Sequence, residues 1–109
     1  MNKVFLIGNL TKKPDVKYTV SDNPTCVCKF AIAVNDGYGD QQKTSFINIT
    51  VFGKSGENCE RFLDKGSKVA VEGHIQTGSY EKDGRKVYTT DVIAKNIEFL
   101  SNAQDNRLP

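Results

Sequence analysis

The 109-residue chain suits one domain with one hydrophobic core. Its 26% charged and 38% hydrophobic content is ordinary for a soluble protein, and no apolar run nears the ~20 residues of a membrane span. The net charge of +2 neither demands nor excludes nucleic acid, because distribution matters more than the sum.

Residues 2–10 read as a first strand with two apolar faces, Val4 and Leu6 on one and Phe5 and Ile7 on the other. A strand apolar on both sides in a small antiparallel protein needs a second cover, and another subunit is one candidate. The same stretch superficially resembles a signal peptide. However, Gly8 and Asn9 interrupt its short apolar run and no small-residue cleavage site follows, so the expected location is cytoplasmic. Residues 11–19 read as a polar connection with Lys12, Lys13, Pro14 and Lys17, and residues 21–24 as a turn.

Residues 25–35 form the second predicted strand, with Cys26, Cys28, Phe30, Ile32 and Val34 on one face. Its two cysteines read as small core hydrophobes. A metal set of Cys26, Cys28, Cys59 and His74 matches no standard zinc spacing. Residues 35–42, NDGYGDQQ, read as a loop around Tyr38.

The third predicted strand, Lys43–Phe52, is the most informative segment. Ile47, Ile49 and Val51 share one β-branched face built for a core. Phe46, Asn48, Thr50 and Phe52 share the other, which is polar in the middle with a phenyl ring at each end, roughly 20 Å apart. Two arrangements suit this pattern. The rings pack beneath a loop or helix, or they are displayed to flat ligands with polar edges, such as nucleobases.

A helix is expected at 55–63, capped by Ser55 and ended by Gly66, with Cys59, Phe62 and Leu63 on its inner side. The fourth strand, 68–80, places Val69, Val71, Gly73 and Ile75 on the core face, and Glu72, His74, Gln76 and Tyr80 on the other. Asp83–Gly84 marks a hairpin turn within 81–86. The last strand, 87–100, groups Val87, Ile93, Ile97 and Phe99, with a bulge expected near Asp91–Val92. Residues 101–109 read as a loose polar tail.

Three strands, one short helix and two strands are the plan of an all-β, five-stranded OB-fold barrel with the helix between strands three and four. Four aromatics fall outside its expected core: Tyr38, Phe46, Phe52 and Tyr80. Lys43, Lys54, Lys82, Arg85 and Lys86 accompany them. Rings stack on any base and cations hold phosphates, so this grouping points to a nucleic-acid platform. Signals for catalysis are poor. His74 has no obvious partner, no phosphate loop or nucleophile motif occurs, and Asp36, Asp40 and Glu72 form no paired-carboxylate geometry.

Three blocks carry a resemblance: MNKVFLIGNLTKKPDVKYT, FINITVFGKSGENC and KGSKVAVEGHIQTGSYEKDGRKVYTTDVIAKNIEFL. In order and spacing they resemble the bacterial and phage single-stranded DNA-binding proteins. The resemblance implies one OB-fold domain over 1–100, followed by a polar tail from 101 to 109. It implies a homotetramer assembled through strand one, with no enzyme activity, metal or cofactor. It further implies base stacking by Tyr38, Phe46, Phe52 and Tyr80, and basic contacts from Lys3, Lys17, Lys54 and Lys65, with 82–86 lining the path. The implied role is sequence-tolerant coating of single-stranded DNA in replication, recombination and repair, with association with the nucleoid. A primosome accessory or a single-stranded RNA-binding module is the alternative. Relatives often carry tryptophan at several ring positions and arginine where Gly78 stands; this chain has no tryptophan. Long relatives end in an acidic, hydrophobic tip that docks replication and repair partners. This sequence ends in DNRLP, so the resemblance implies DNA binding without tail-mediated recruitment.

Overall fold

The computed structural model describes residues 1–37 and 39–101. The expectations for Tyr38 and for the tail from 102 onward lie outside the described residues. The elements in chain order are β1 (Val4–Leu10), β2 (Asp15–Tyr18), β3 (Cys26–Asp36), a 3₁₀ turn (Gly39–Gln41), β4 (Lys43–Phe52), α1 (Lys54–Phe62), β5 (Lys68–Lys82) and β6 (Arg85–Ser101).

Neighbouring strands run in the order β1-β5-β6-β4-β3-β2, and β1 also pairs with β3 through Asn9–Ala33 and Leu10–Ile32. That pairing closes five strands on themselves, the OB-fold plan expected from the element order. Closure requires a short parallel pairing, Ile49–Val92 and Thr50–Ile93, between β4 and β6. The sixth strand, β2, was expected to be part of a polar connection. It pairs instead with the first part of β3, outside the ring, from Asp15–Lys29 to Tyr18–Cys26. Its one large apolar side chain facing the core, Val16, packs against it.

The core follows strand alternation. Cys26, Cys28, Phe30 and Ile32 of β3, Ile49 and Val51 of β4, and Val69 and Val71 of β5 are buried together with Leu10, Cys59, Leu63 and Val92. Each fully buried Val or Ile side chain contributes roughly 1.5–3 kcal/mol. All three cysteines are free and buried, packing as small hydrophobes. A hydrogen bond with Cys28, reinforced by burial, pushes the Cys59 thiol well above its ordinary range, so it stays protonated.

Helix α1 corrects three expectations, one of them its end, where the C-cap is Leu63 and not Gly66. Its N-cap is Gly53, without a side-chain cap, and Ser55 lies inside the helix. Its buried side is Gly56, Cys59 and then Leu63, whereas Phe62 is exposed and tilts against Phe99 at 6.3 Å between ring centres. The helix covers the barrel end formed by Cys26, Cys28 and Val51: a Cβ at Gly56 would meet the Val51 carbonyl oxygen at 2.7 Å.

Strands β5 and β6 form a long ribbon turned by Asp83 and Gly84, both at positive φ (54° and 77°). Its register slips twice, between Glu72 and Gly73 and between Lys68 and Val69. At the first slip Gly73 pairs with Ala94 and Glu72 with Asn96, so the extra residue is Lys95. The bulge therefore lies beyond the expected Asp91–Val92 and changes the side assignment. Val92 is buried on the inner side, Ile97 packs on the core beyond the bulge, and Val87 and Ile93 take the opposite side. Phe99, opposite Val69, is exposed beside Phe62 of the helix. Ile75 is also exposed, because β5 leaves the barrel after Gly73. There the Asn2 side chain extends the β1–β5 ladder by donating to the Ile75 carbonyl (2.8 Å) and accepting from its N–H (2.9 Å).

Gly73 leaves no room for a side chain: a Cβ there would lie 2.1 Å from the Ile93 carbonyl oxygen. Gly73→Ala is expected to destabilise the fold by about 1–3 kcal/mol, read from a urea unfolding curve. The folded protein is expected to leave its three cysteines unreactive toward an aromatic disulfide reagent, with all three reacting after denaturation. Rapid reaction in the folded state would contradict their burial.

Candidate nucleic-acid interface

The inner side of β4 is committed to the core, which leaves its other side on the barrel exterior. Phe46 and Phe52 emerge there, 70% and 49% exposed, so the packed-ring arrangement is not the one adopted. Between them Asn48 is exposed, whereas Thr50 is buried between its neighbours on β3 and β6.

Cross-strand register builds the surroundings of the rings. Phe46 stands opposite Ala33, Asn48 opposite Ala31, Thr50 opposite Lys29 and Phe52 opposite Val27. The next strand places Lys17 opposite Val27 and Asp15 opposite Lys29. One exterior row therefore reads Phe52, Val27, Lys17, and the next Thr50, Lys29, Asp15. The small Ala31 and Ala33 leave the Phe46 end open. Lys17, placed beforehand in a connection, is carried by β2 into the Phe52 row, with Val27 between them.

Lys29 was not identified from the sequence. Its signal was present: an exposed lysine alternating between Cys28 and Phe30 on a strand whose other face is core. Lys54 opens α1 two residues after Phe52. Lys43 stands opposite Asp36 at the start of β4, alternating away from the Phe46 side.

Tyr80 lies on the ribbon, 52% exposed. Register places Tyr80 opposite Val87 and Lys82 opposite Arg85, so Tyr80, Lys82 and Arg85 share one side. Lys86 pairs with Glu81 on the other. The basic cluster at the tip thus divides between two surfaces.

Two expected contacts fall elsewhere. The Lys3 ammonium is 3.0 Å from Glu72 and 5.6 Å from the Phe5 ring centre. Hydrogen bonds from Asn96 and Lys3, with the charges of Lys3 and Lys95, hold the Glu72 carboxyl below its usual range. Lys65 sits in the turn after α1, which is tied to β1 through Leu10 N–H to the Ser67 carbonyl (2.8 Å) and Gly66 N–H to the Leu10 carbonyl (2.9 Å). Tyr18, although exposed, directs its hydroxyl to Glu57 of the helix at 3.4 Å.

A second exterior patch lies on β1. Phe5 is 69% exposed and Ile7 is also exposed; with Ala70, Val71 and Ile97 they border a mostly apolar groove of about 430 Å³. Among the described residues no group of three or more His, Cys, Asp and Glu side chains is placed to hold a metal ion. His74 is exposed on β5, away from the buried cysteines.

Chemically, the β4 exterior presents flat apolar faces separated by amide and ammonium groups. That combination matches stacked bases and their phosphates. The sequence is 43% identical over 104 residues to the single-stranded DNA-binding protein of Bacillus cereus, an alignment covering 92% of this chain and 60% of that protein. It is 42% identical to the single-stranded DNA-binding protein of Clostridium perfringens, covering 94% and 67%. It is 40% identical to single-stranded DNA-binding protein 2 of Clostridium acetobutylicum, covering 99% and 83%. The chain thus spans about 60% of the length of the Bacillus cereus relative. The profile of the Single-strand binding protein family matches residues 1–100, and the chain belongs to that family.

Proposed function

We propose that this protein binds single-stranded DNA without sequence preference and without catalysis, coating exposed strands during replication, recombination and repair in the cytoplasm. The observation that carries this reading is the exposure of Phe46 and Phe52 on the polar side of a strand whose other side is core. A buried pair would have left no stacking surface. Bases stack on Phe46, Phe52 and Tyr80, and Lys17, Lys29 and Lys54 hold phosphates. The resemblance adds Tyr38 to the proposed stacking residues. Duplex DNA hides its base faces within its own stack, so discrimination against it follows from the mechanism.

The β1 patch has a different role. We propose that Phe5 and Ile7 are covered by further copies of the chain in a homotetramer, with Lys3 and Glu72 at the edge of that contact. The groove they border lies on β1, β5 and β6, apart from the β4 rings, and suits a permanent neighbour, whereas a row with amide and ammonium groups between its rings suits a ligand that comes and goes.

Fluorescence anisotropy of labelled oligo-dT, beside a duplex of equal length at two salt concentrations, tests the binding reading. Tight single-strand binding and weak duplex binding are expected, with Phe46→Ala and Phe52→Ala each costing about 1–3 kcal/mol. Equal binding to both forms that vanishes with salt would remove stacking from the mechanism. Sedimentation or light scattering tests the assembly. The unaltered protein is expected at four copies and Phe5→Asp at fewer, with its circular-dichroism spectrum unchanged. A monomeric unaltered protein would refute it.

A further inference from the structure

The most exposed ring of the ribbon is neither of those assigned above nor one marked by the resemblance. Tyr88 is 74% exposed, and the Lys86 ammonium lies 5.6 Å from its ring centre. Tyr88 stands opposite Ser79, and Tyr80 opposite Val87. Consecutive residues of a strand face opposite ways, so the two tyrosines occupy opposite sides of the ribbon. Each has its own cation: Lys82 and Arg85 on the Tyr80 side, Lys86 on the Tyr88 side.

The Tyr88 side continues into a groove that reaches Phe46 of β4. Ile75, Thr90 and Val92 of the ribbon border a cavity of about 350 Å³ together with Val4, Leu6 and Phe46. Thr90 and Tyr88 alternate onto the same side, so the ring stands roughly 7 Å beyond the edge of that cavity. Phe46 therefore marks one end of an apolar groove and Tyr88 the other. A hydroxyl-bearing Thr90 lies on the way and a lysine stands beside the outer ring.

We propose that Tyr88 is a further base-stacking residue and Lys86 its phosphate contact, with the groove from Phe46 to Tyr88 taking bases of the bound single strand. The occupant is single-stranded nucleic acid, because the groove is continuous with the Phe46 end of the proposed platform and ends beyond Thr90 at a flat ring with an ammonium 5.6 Å from its centre. The ribbon then holds the strand on both of its sides, with Tyr80 on one and Tyr88 on the other. This inference rests on the single-strand reading of the β4 face.

The test combines two measurements on the full chain. In the first, oligo-dT affinity is compared among the unaltered protein, Phe46→Ala, Tyr88→Ala, Tyr88→Phe and Lys86→Gln. Tyr88→Ala is expected to weaken binding roughly 5- to 100-fold and Tyr88→Phe to bind nearly normally, since the flat face and not the hydroxyl is used. Lys86→Gln is expected to reduce the salt slope by about 0.7. In the second, oligonucleotides carrying 5-iododeoxyuridine are cross-linked to the unaltered protein and the attached peptide is mapped. Cross-links at Tyr88 support the proposal without any variant. If Phe46→Ala weakens binding while Tyr88→Ala binds normally and no cross-link reaches Tyr88, the second stacking side is overturned and the β4 reading survives. If the unaltered protein fails to bind oligo-dT at all, both fall.

Discussion

Closure of the sheet between β1 and β3 is the constraint on which the remaining structure depends. Once Leu10 pairs with Ile32, every strand of the ring has an inside and an outside, and alternation assigns each side chain to one of them. The β-branched set of β4 can only go inside, and Phe46 and Phe52 can then only go outside. Their exposure is thus imposed by the same burial that stabilises the barrel. Substituting the rings removes little core packing, whereas reversing the strand would put Ile49 and Val51 in water. Stability and the proposed ligand surface are therefore carried by opposite sides of one segment.

Much of this was legible because period-two patterns report burial directly. The inner sides of β3 and β4, the Asp83–Gly84 turn and the position of the helix all follow from local chemistry. The failures have equally local causes. A single extra residue, Lys95, inverts alternation along β6, and nothing in KNIEF marks which residue is extra. Strand β2 has only four residues with one apolar contact, too few for a periodic signal, and it exists because β3 offers it a ladder. Phe62 follows helical spacing with Cys59, but the helix docks through Gly56, where the barrel wall comes too close for a side chain. Lys29 and Tyr88 escaped notice for a different reason. Alternation marks Lys29 as facing outward, but only register shows what stands opposite a lone lysine or tyrosine.

Register also separates residues that sequence proximity had grouped. Lys82, Arg85 and Lys86 are neighbours at one hairpin tip, yet the ribbon sends the first two to the Tyr80 side and the third to the Tyr88 side. Lys3, near the first strand's apolar residues, is held by Glu72 and Phe5. Lys17, remote in sequence from Phe52, is brought next to its row through Val27. Counting cations therefore overstates the charge available along any one path. A phosphate backbone senses charges within about a Debye length, so this partition matters most at physiological salt.

The exposed apolar groups divide by their surroundings, and that division separates two kinds of partner. Around Phe5 and Ile7 the bordering residues are largely apolar: Leu6, Ala70, Val71 and Ile97, with Glu72, Asn96 and Glu98 on the border as well. A partner covering that patch gains apolar burial over a contiguous area and has little reason to leave. Along the β4 row the rings stand opposite Ala33 and Val27, with Asn48 between them and Lys29 and Lys17 on the neighbouring strands, and Phe46 also borders the groove toward the ribbon. A continuous apolar partner would bury those amide and ammonium groups without replacing their hydrogen bonds, which costs more than the two rings return. A chain of flat rings linked by charged phosphates satisfies both the phenyl faces and the polar groups between them. It does so in repeated units of stacking, so that release proceeds one contact at a time. The proposed permanent assembly on one exterior and the proposed reversible binding on another thus rest on what lies between the rings.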